Sequence, residues 1–207
     1  MNTLATVLLV LTGVVALADW IAVGRDNGKA ELITKPLTLV LLISLVQAID
    51  PFSESMRWWF FAGLCFSLVG DIALLPKFNA FIAGLSAFLI AHLAYIVGLA
   101  GHVETGSLAI VGIGVALLAF GFYGRRILAH VPGELLLPVV AYFAVLSAMV
   151  IFAFVTGIWF LAIGAVLFLA SDSLLGWGRF VSPSPGGRVA VHITYHLAQT
   201  ALVIGLI

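Results

Sequence analysis

Charge is what this 207-residue chain has least of: nine Lys and Arg stand against nine Asp and Glu, 9% of all residues, for a formal net charge of zero. With no basic cluster interleaved with aromatics, nucleic-acid binding has nothing to rest on. There is one cysteine, Cys65, so an internal disulfide is excluded, and its place inside an apolar run makes it a packing residue. Stretches polar enough to build a soluble domain are also missing. What is present is hydrophobic: 63% of the residues, with a mean hydropathy of +1.25, which marks an integral membrane protein. A hydrocarbon layer about 30 Å thick needs about 20 apolar residues per helix, leaving room for about eight crossings joined by short loops. VVALAD resembles a small-residue cleavage site after Ala18, but no Lys or Arg precedes the apolar run, which continues to Val23; it reads as an uncleaved first helix.

Apolar runs predict helices near 3–23, 36–50, 57–75, 78–100, 107–123, 135–155, 158–176 and 189–207. The break at Thr156 and Gly157 is tested by the distribution of positive charge. With eight helices, the loops after helices 1, 3, 5 and 7 hold Arg25, Lys29, Lys35, Lys77, Arg125, Arg126, Arg179 and Arg188, and the other side holds only Arg57. Merging helices 6 and 7 spoils that asymmetry. The expected fold is therefore all-α, a polytopic bundle of eight transmembrane helices with both termini outside.

Landmarks recur at a nearly constant interval. GR stands at 24 and 124, EL at 31 and 134, proline at 36 and 138, aspartate at 71 and 172, and HLA at 92 and 196. Five matches in chain order suggest two parallel four-helix repeats, 1–102 and 103–207, within a single transmembrane domain; repeats of that kind occur in transporters.

Asp71, in FSLVGDIALL, and Asp172, in LFLASDSLLG, are each placed about one turn from the same-side end of their helices, at one depth. Acids in spanning segments normally face a protein interior or a wet cavity, because lipid exposure at the helix centre costs about 2.5–3.5 kcal/mol. Ser67, four residues before Asp71, shares its face. In the last helix His192, Tyr195, His196 and Gln199 form one stripe, and in the fourth Gly84, Phe88, His92 and Tyr95 form another. Inward-facing stripes would enclose a polar pocket with apolar walls, suited to an amphiphile with one tail. Taken singly, Ser67, His92 and Gln199 can equally be interhelical hydrogen-bond partners.

Two nearby buried carboxyls can divide into one protonated and one ionised member, an acid and a base in one site. Hydrolysis of a vinyl ether fits that pair and needs neither metal nor other cofactor. Other classes remain open: a proton relay in a coupled transporter, a lipid-binding membrane protein, or a zinc-dependent hydrolase using His192 and His196. Against zinc, no third ligand is expected at the right level, since His92 is placed about ten residues, or about 15 Å, deeper than Asp71 along the bundle axis.

At these residues the sequence resembles the YhhN family, whose characterised members are lysoplasmalogenases. The resemblance runs through KP at Lys35 and Pro36, FSLVGD ending at Asp71, GLSAFLIAHLAY from Gly84 to Tyr95, GAVLFLASDS from Gly164 to Ser173, and TYHLAQ from Thr194 to Gln199. It implies a hydrolase that splits the vinyl ether of lysoplasmenyl-ethanolamine or lysoplasmenyl-choline into a fatty aldehyde and the glycerophospho-alcohol. By the resemblance Asp71 and Asp172 would be the acid and base, with Lys35, His92, Tyr195 and Gln199 around the substrate, a lysophospholipid; the helix faces add Ser67, Tyr95 and His196 as candidate substrate-binding residues. The family pattern centres on Tyr195 and Gln199 in the last helix, which makes His192 and His196 weaker candidates. The phosphate would look first to Lys35, with Lys77, Arg179 and Arg188 next. The expected setting is a bacterial inner membrane with the site toward the cytoplasmic leaflet.

Overall fold

The computed structural model describes residues 1–104 and 106–207. Eight helical segments follow one another: α1 (Thr3–Gly24), α2 (Gly28–Ala48), α3 (Glu54–Leu74), α4 (Phe81–Ala100), α5 (Gly106–His130), α6 (Gly133–Val155), α7 (Trp159–Phe180) and α8 (Gly187–Ile204). No strand occurs among the described residues. Helices are the expected answer for an apolar chain, because inside a bilayer only a helix satisfies its own backbone donors and acceptors. Side-chain caps close three starts: Asn2 accepts from the Ala5 amide, Asn27 from Ala30 and Ser53 from Met56. Tight reversals after α1 and α3 place Asp26 and Asn79 at positive φ (50° and 46°), where these short polar residues are the least strained alternative to glycine. Gly157, at φ 72°, opens the turn into α7.

Seven of the helices, α1 to α7, are long and apolar enough to cross a membrane. The eighth crossing expected from sequence is a helix of 18 residues that does not reach that standard, because its inward stripe is polar: His192, Tyr195, His196 and Gln199 are all buried. Its opposite flank includes the exposed Leu197.

The chain divides into two compact units, the first comprising Met1–Gly101 with Val203–Ile207 and the second His102–Leu202. In the first, α3 and α4 pack through small residues: a Cβ on Gly63 would strike the Tyr95 ring, one on Gly70 the Phe88 ring, and one on Gly84 the Leu74 side chain. These contacts set an antiparallel register in which facing positions sum to about 158. Phe60, Leu64, Tyr95 and Leu99 fill this interface, with Phe60 and Tyr95 edge to face at 5.0 Å. In the second unit, Gly164 on α7 lies against Leu202 and the Ala198 carbonyl of α8, and the Ser171 hydroxyl donates to the Val191 carbonyl at 3.1 Å. Apolar side chains such as Leu4, Ile110, Leu137 and Trp159 are exposed, as a surface facing lipid requires.

Candidate functional site

In the first unit the site is built on the N-terminal half of α2 and the C-terminal end of α3. Asp71 has no solvent exposure, and its Oδ1 lies 3.3 Å from the Lys35 ammonium. The expected start of helix 2 at Pro36 leaves Lys35 in the preceding loop. In the structure α2 begins eight residues earlier, at Gly28, and Lys35 is a buried helical residue. Pro36 does not end the helix: it lies inside α2, where spanning helices tolerate proline by re-satisfying the freed carbonyl locally. One turn before Lys35 and on its face, Glu31 is also buried. Next to Lys35 in sequence, the Thr34 hydroxyl donates to Asp19 of α1 at 2.7 Å, and Asp19 is likewise fully buried.

The α3–α4 register corrects the expected depth of His92. Asp71 faces the level of residue 87, so His92 lies five residues away, about 7.5 Å along the axis rather than about 15 Å. His92 shares the level of Ser67, and both are fully buried. The Ser67 Oγ has no hydrogen-bond partner among the described residues. A buried hydroxyl left that way is uncommon, and it marks a place where a water or a ligand oxygen can be received. Tyr95 is buried, its ring against Phe60 and Gly63.

In the second unit Asp172 lies on α7, and its Oδ2 accepts a hydrogen bond from the Tyr142 hydroxyl of α6. Tyr142 is buried, whereas Asp172 is only half-buried. Asp172 also stands eight residues before the end of α7, more than two turns and not the single turn expected, because the helix runs on through Gly176 and Gly178 to Phe180. Ser173, beside it, has a second buried hydroxyl without a hydrogen-bond partner among the described residues. On α8 the Tyr195 ring meets Phe168 edge to face at 5.4 Å, and Gln199 Nε2 donates to the Tyr195 hydroxyl at 3.3 Å. His192 and His196 follow one another on the same stripe, their rings 6.1 Å apart. No group of three His, Cys, Asp or Glu among the described residues could hold a metal ion.

The second unit also has a groove of about 580 Å³ that includes Arg126, Leu174 and Trp177, with the Arg126 guanidinium 5.9 Å over the Trp177 ring. At about 100° per residue, Leu174 and Trp177 lie about 160° and 140° around α7 from Asp172. The groove therefore opens on another side of the helix from that carboxyl. Among the remaining cationic candidates, Lys77 is exposed beside the Phe78 ring at 5.5 Å, and Arg179 and Arg188 are exposed.

Three residues that the sequence reading passes over therefore have buried, polar positions: Asp19, Glu31 and Tyr142. Asp19 carries the same signal as Asp71, an acid in an apolar run, but its neighbours also resemble a cleavage site. Tyr142 carries no local signal, since a tyrosine in a spanning helix is ordinary packing until its partner is known.

The chain matches the YhhN family over residues 30–206. Lysoplasmalogenase TMEM86B of Mus musculus is 33% identical over 190 residues, which is 89% of this chain and 78% of that protein. Its counterpart in Homo sapiens is 30% identical over 189 residues, 89% of this chain and 78% of that one. Lysoplasmalogenase of Mycobacterium tuberculosis (strain CDC 1551 / Oshkosh) is 30% identical over 184 residues, 81% of this chain and 67% of that one. No solved structure matches the chain.

Proposed function

Because this chain belongs to the YhhN family, we propose that it is a lysoplasmalogenase, hydrolysing the vinyl ether of a lysophospholipid such as lysoplasmenyl-ethanolamine or lysoplasmenyl-choline. The observation that carries this reading is its likeness to proteins named lysoplasmalogenase over most of both chains. Two carboxyls in membrane helices support the chemistry, Asp71 beside the Lys35 ammonium and Asp172 accepting from the Tyr142 hydroxyl.

In the proposed reaction a carboxylic acid delivers its proton to the alkene carbon beyond the one bonded to oxygen, leaving an oxocarbenium ion. Water adds to that cation while the second carboxylate takes the proton released. The hemiacetal then collapses, its hydroxyl proton passing to the departing glyceryl oxygen, to give a fatty aldehyde and a glycerophospho-alcohol. One water is consumed and the enzyme's protons are restored. Ser67, with a buried hydroxyl that has no hydrogen-bond partner among the described residues, would receive the water or a glyceryl oxygen. Lys35 has three donors, enough to hold Asp71 and still approach the phosphate. His92, Tyr195, His196 and Gln199 remain the substrate-binding candidates of this reading, which uses no metal and no organic cofactor. The protein would act in a bacterial inner membrane on substrate drawn from the cytoplasmic leaflet.

The test is aldehyde. Purified protein in detergent, given lysoplasmenyl-ethanolamine, should release free fatty aldehyde in equal amount to glycerophosphoethanolamine, and D71N and D172N should each abolish most of it. A folded wild-type protein that releases none, or that retains full turnover in both variants, overturns the reading. Turnover lost to a chelator and restored by zinc would move the chemistry to a metal.

A further inference from the structure

Tyr142 is absent from every motif that marks the chain, yet its hydroxyl is the group that meets Asp172. The contact joins two helices, α6 and α7, within one unit, and it is made by a phenol that is buried. A phenol in this setting has one proton to give, and it is given to Oδ2. An oxygen that already accepts that bond, in a fixed direction, is poorly placed to exchange a second proton with a substrate.

Building on the hydrolase reading, we infer that Tyr142 is the positioning residue of Asp172: it holds Oδ2, so that Asp172 exchanges its proton with substrate or water through Oδ1. Tyr142 serves Asp172 in the same way whether Asp172 is the acid or the base. As an acid it carries its proton on Oδ1, the oxygen not engaged by Tyr142, and aims it at the alkene carbon. As a base it receives the water proton on the same oxygen. In both cases the phenol turns a carboxyl that could rotate about its Cβ–Cγ bond into one with a single reacting edge. Misaiming a proton by a fraction of an ångström is costly in a step whose geometry must be preset.

A contact of the neighbouring residue fits this arrangement. Ser171, on the preceding position, is engaged with the Val191 carbonyl and so pins this part of α7 against α8. The carboxyl therefore stands on a backbone restrained from one side while Tyr142 restrains its side chain from another.

The experiment is Y142F in purified, detergent-solubilised full-length protein, read in two ways. Turnover of lysoplasmenyl-ethanolamine should fall about 10- to 100-fold in kcat, with KM changed less than about twofold, as expected when a hydrogen bond to a reacting group is lost without loss of a substrate contact. Infrared difference spectra, with the Asp172 carboxyl band assigned by its loss in D172N, should show that band displaced in Y142F, because the hydrogen bond to Oδ2 is gone. Replacing tyrosine by 3-fluorotyrosine keeps the ring and the fold but makes a stronger donor, and should move the band the opposite way. An undisplaced band in both samples overturns the inference, as does unchanged kcat in Y142F. If the wild type releases no aldehyde, the hydrolase reading falls, and the infrared bands alone decide whether Tyr142 orients Asp172.

Discussion

Asp71 and Asp172 stand in similar sequence surroundings, FSLVGDIALL and LFLASDSLLG, and the structure gives them different partners. Asp71 is fully buried and faces an ammonium, while Asp172 is half-buried and takes a hydrogen bond from a phenol. A lysine balances a whole charge but leaves direction loose, since its three donors rotate freely. A tyrosine balances no charge but fixes direction through one O–H. The first unit is thus arranged to tolerate a negative charge in an apolar setting, and the second to aim a carboxyl. Two acids that look interchangeable along the chain are distinguished by the helices beside them.

The comparison breaks most severely at the acids themselves. D71N and D172N should each lower aldehyde release by about 10²- to 10⁴-fold, the range for loss of a general acid or base. If the two act in one reaction, the double variant should be little worse than the poorer single one, because groups that act as a unit are non-additive. Fully multiplicative losses would separate them.

The next effect is on stability. Replacing Lys35 with methionine removes the ammonium beside a buried carboxyl and should destabilise the protein by about 3–5 kcal/mol, read as a lowered unfolding midpoint in detergent. Adding D71L to K35M should restore much of that loss, since the penalty belongs to the carboxyl that has lost its ammonium and not to the helix contact. Y142F should cost less, about 1.5–3 kcal/mol at most, because it removes one hydrogen bond and leaves Asp172 partly exposed to other partners. A K35M loss no greater than that of Y142F would erase the distinction between balancing and aiming.

The smallest effect concerns the third acid. T34V removes the hydroxyl that Asp19 accepts from and should cost only about 0.6 kcal/mol, the average for an interhelical hydrogen bond in a membrane. Aldehyde release should be unchanged within about twofold, since a loss that small is well under a tenfold effect on rate. Asp19 also lies outside the residues matched by the family, 30–206. A large loss of turnover in T34V would bring α1 into the site.

Most of the helices were legible in the sequence because their evidence is local: long apolar runs broken by short polar stretches. The boundaries that misled are those where a local signal is overruled. Pro36 reads as a helix start, yet α2 begins at Gly28 and carries Lys35 into the interior. The seventh apolar run is expected to end near 176, yet α7 continues to Phe180 and leaves Asp172 two turns inside. The polar stripes of α4 and α8 were legible from their spacing, and the structure buries both. The level of His92 was not, because the level of a residue on one helix against another follows from which glycines let the backbones approach, here Gly63, Gly70 and Gly84.

Hydropathy and side-chain period are properties of neighbouring residues, so a helical membrane protein with Asp71 and Asp172 out of place in it can be read along the chain. That Lys35 belongs to Asp71 and Tyr142 to Asp172 comes from the folding of the helices. Those partners are separated by 36 and 30 positions, and no local rule couples residues so far apart. Their pairing is settled by the register of packed helices, where the choice of a charged or a neutral neighbour sets what each acid can do.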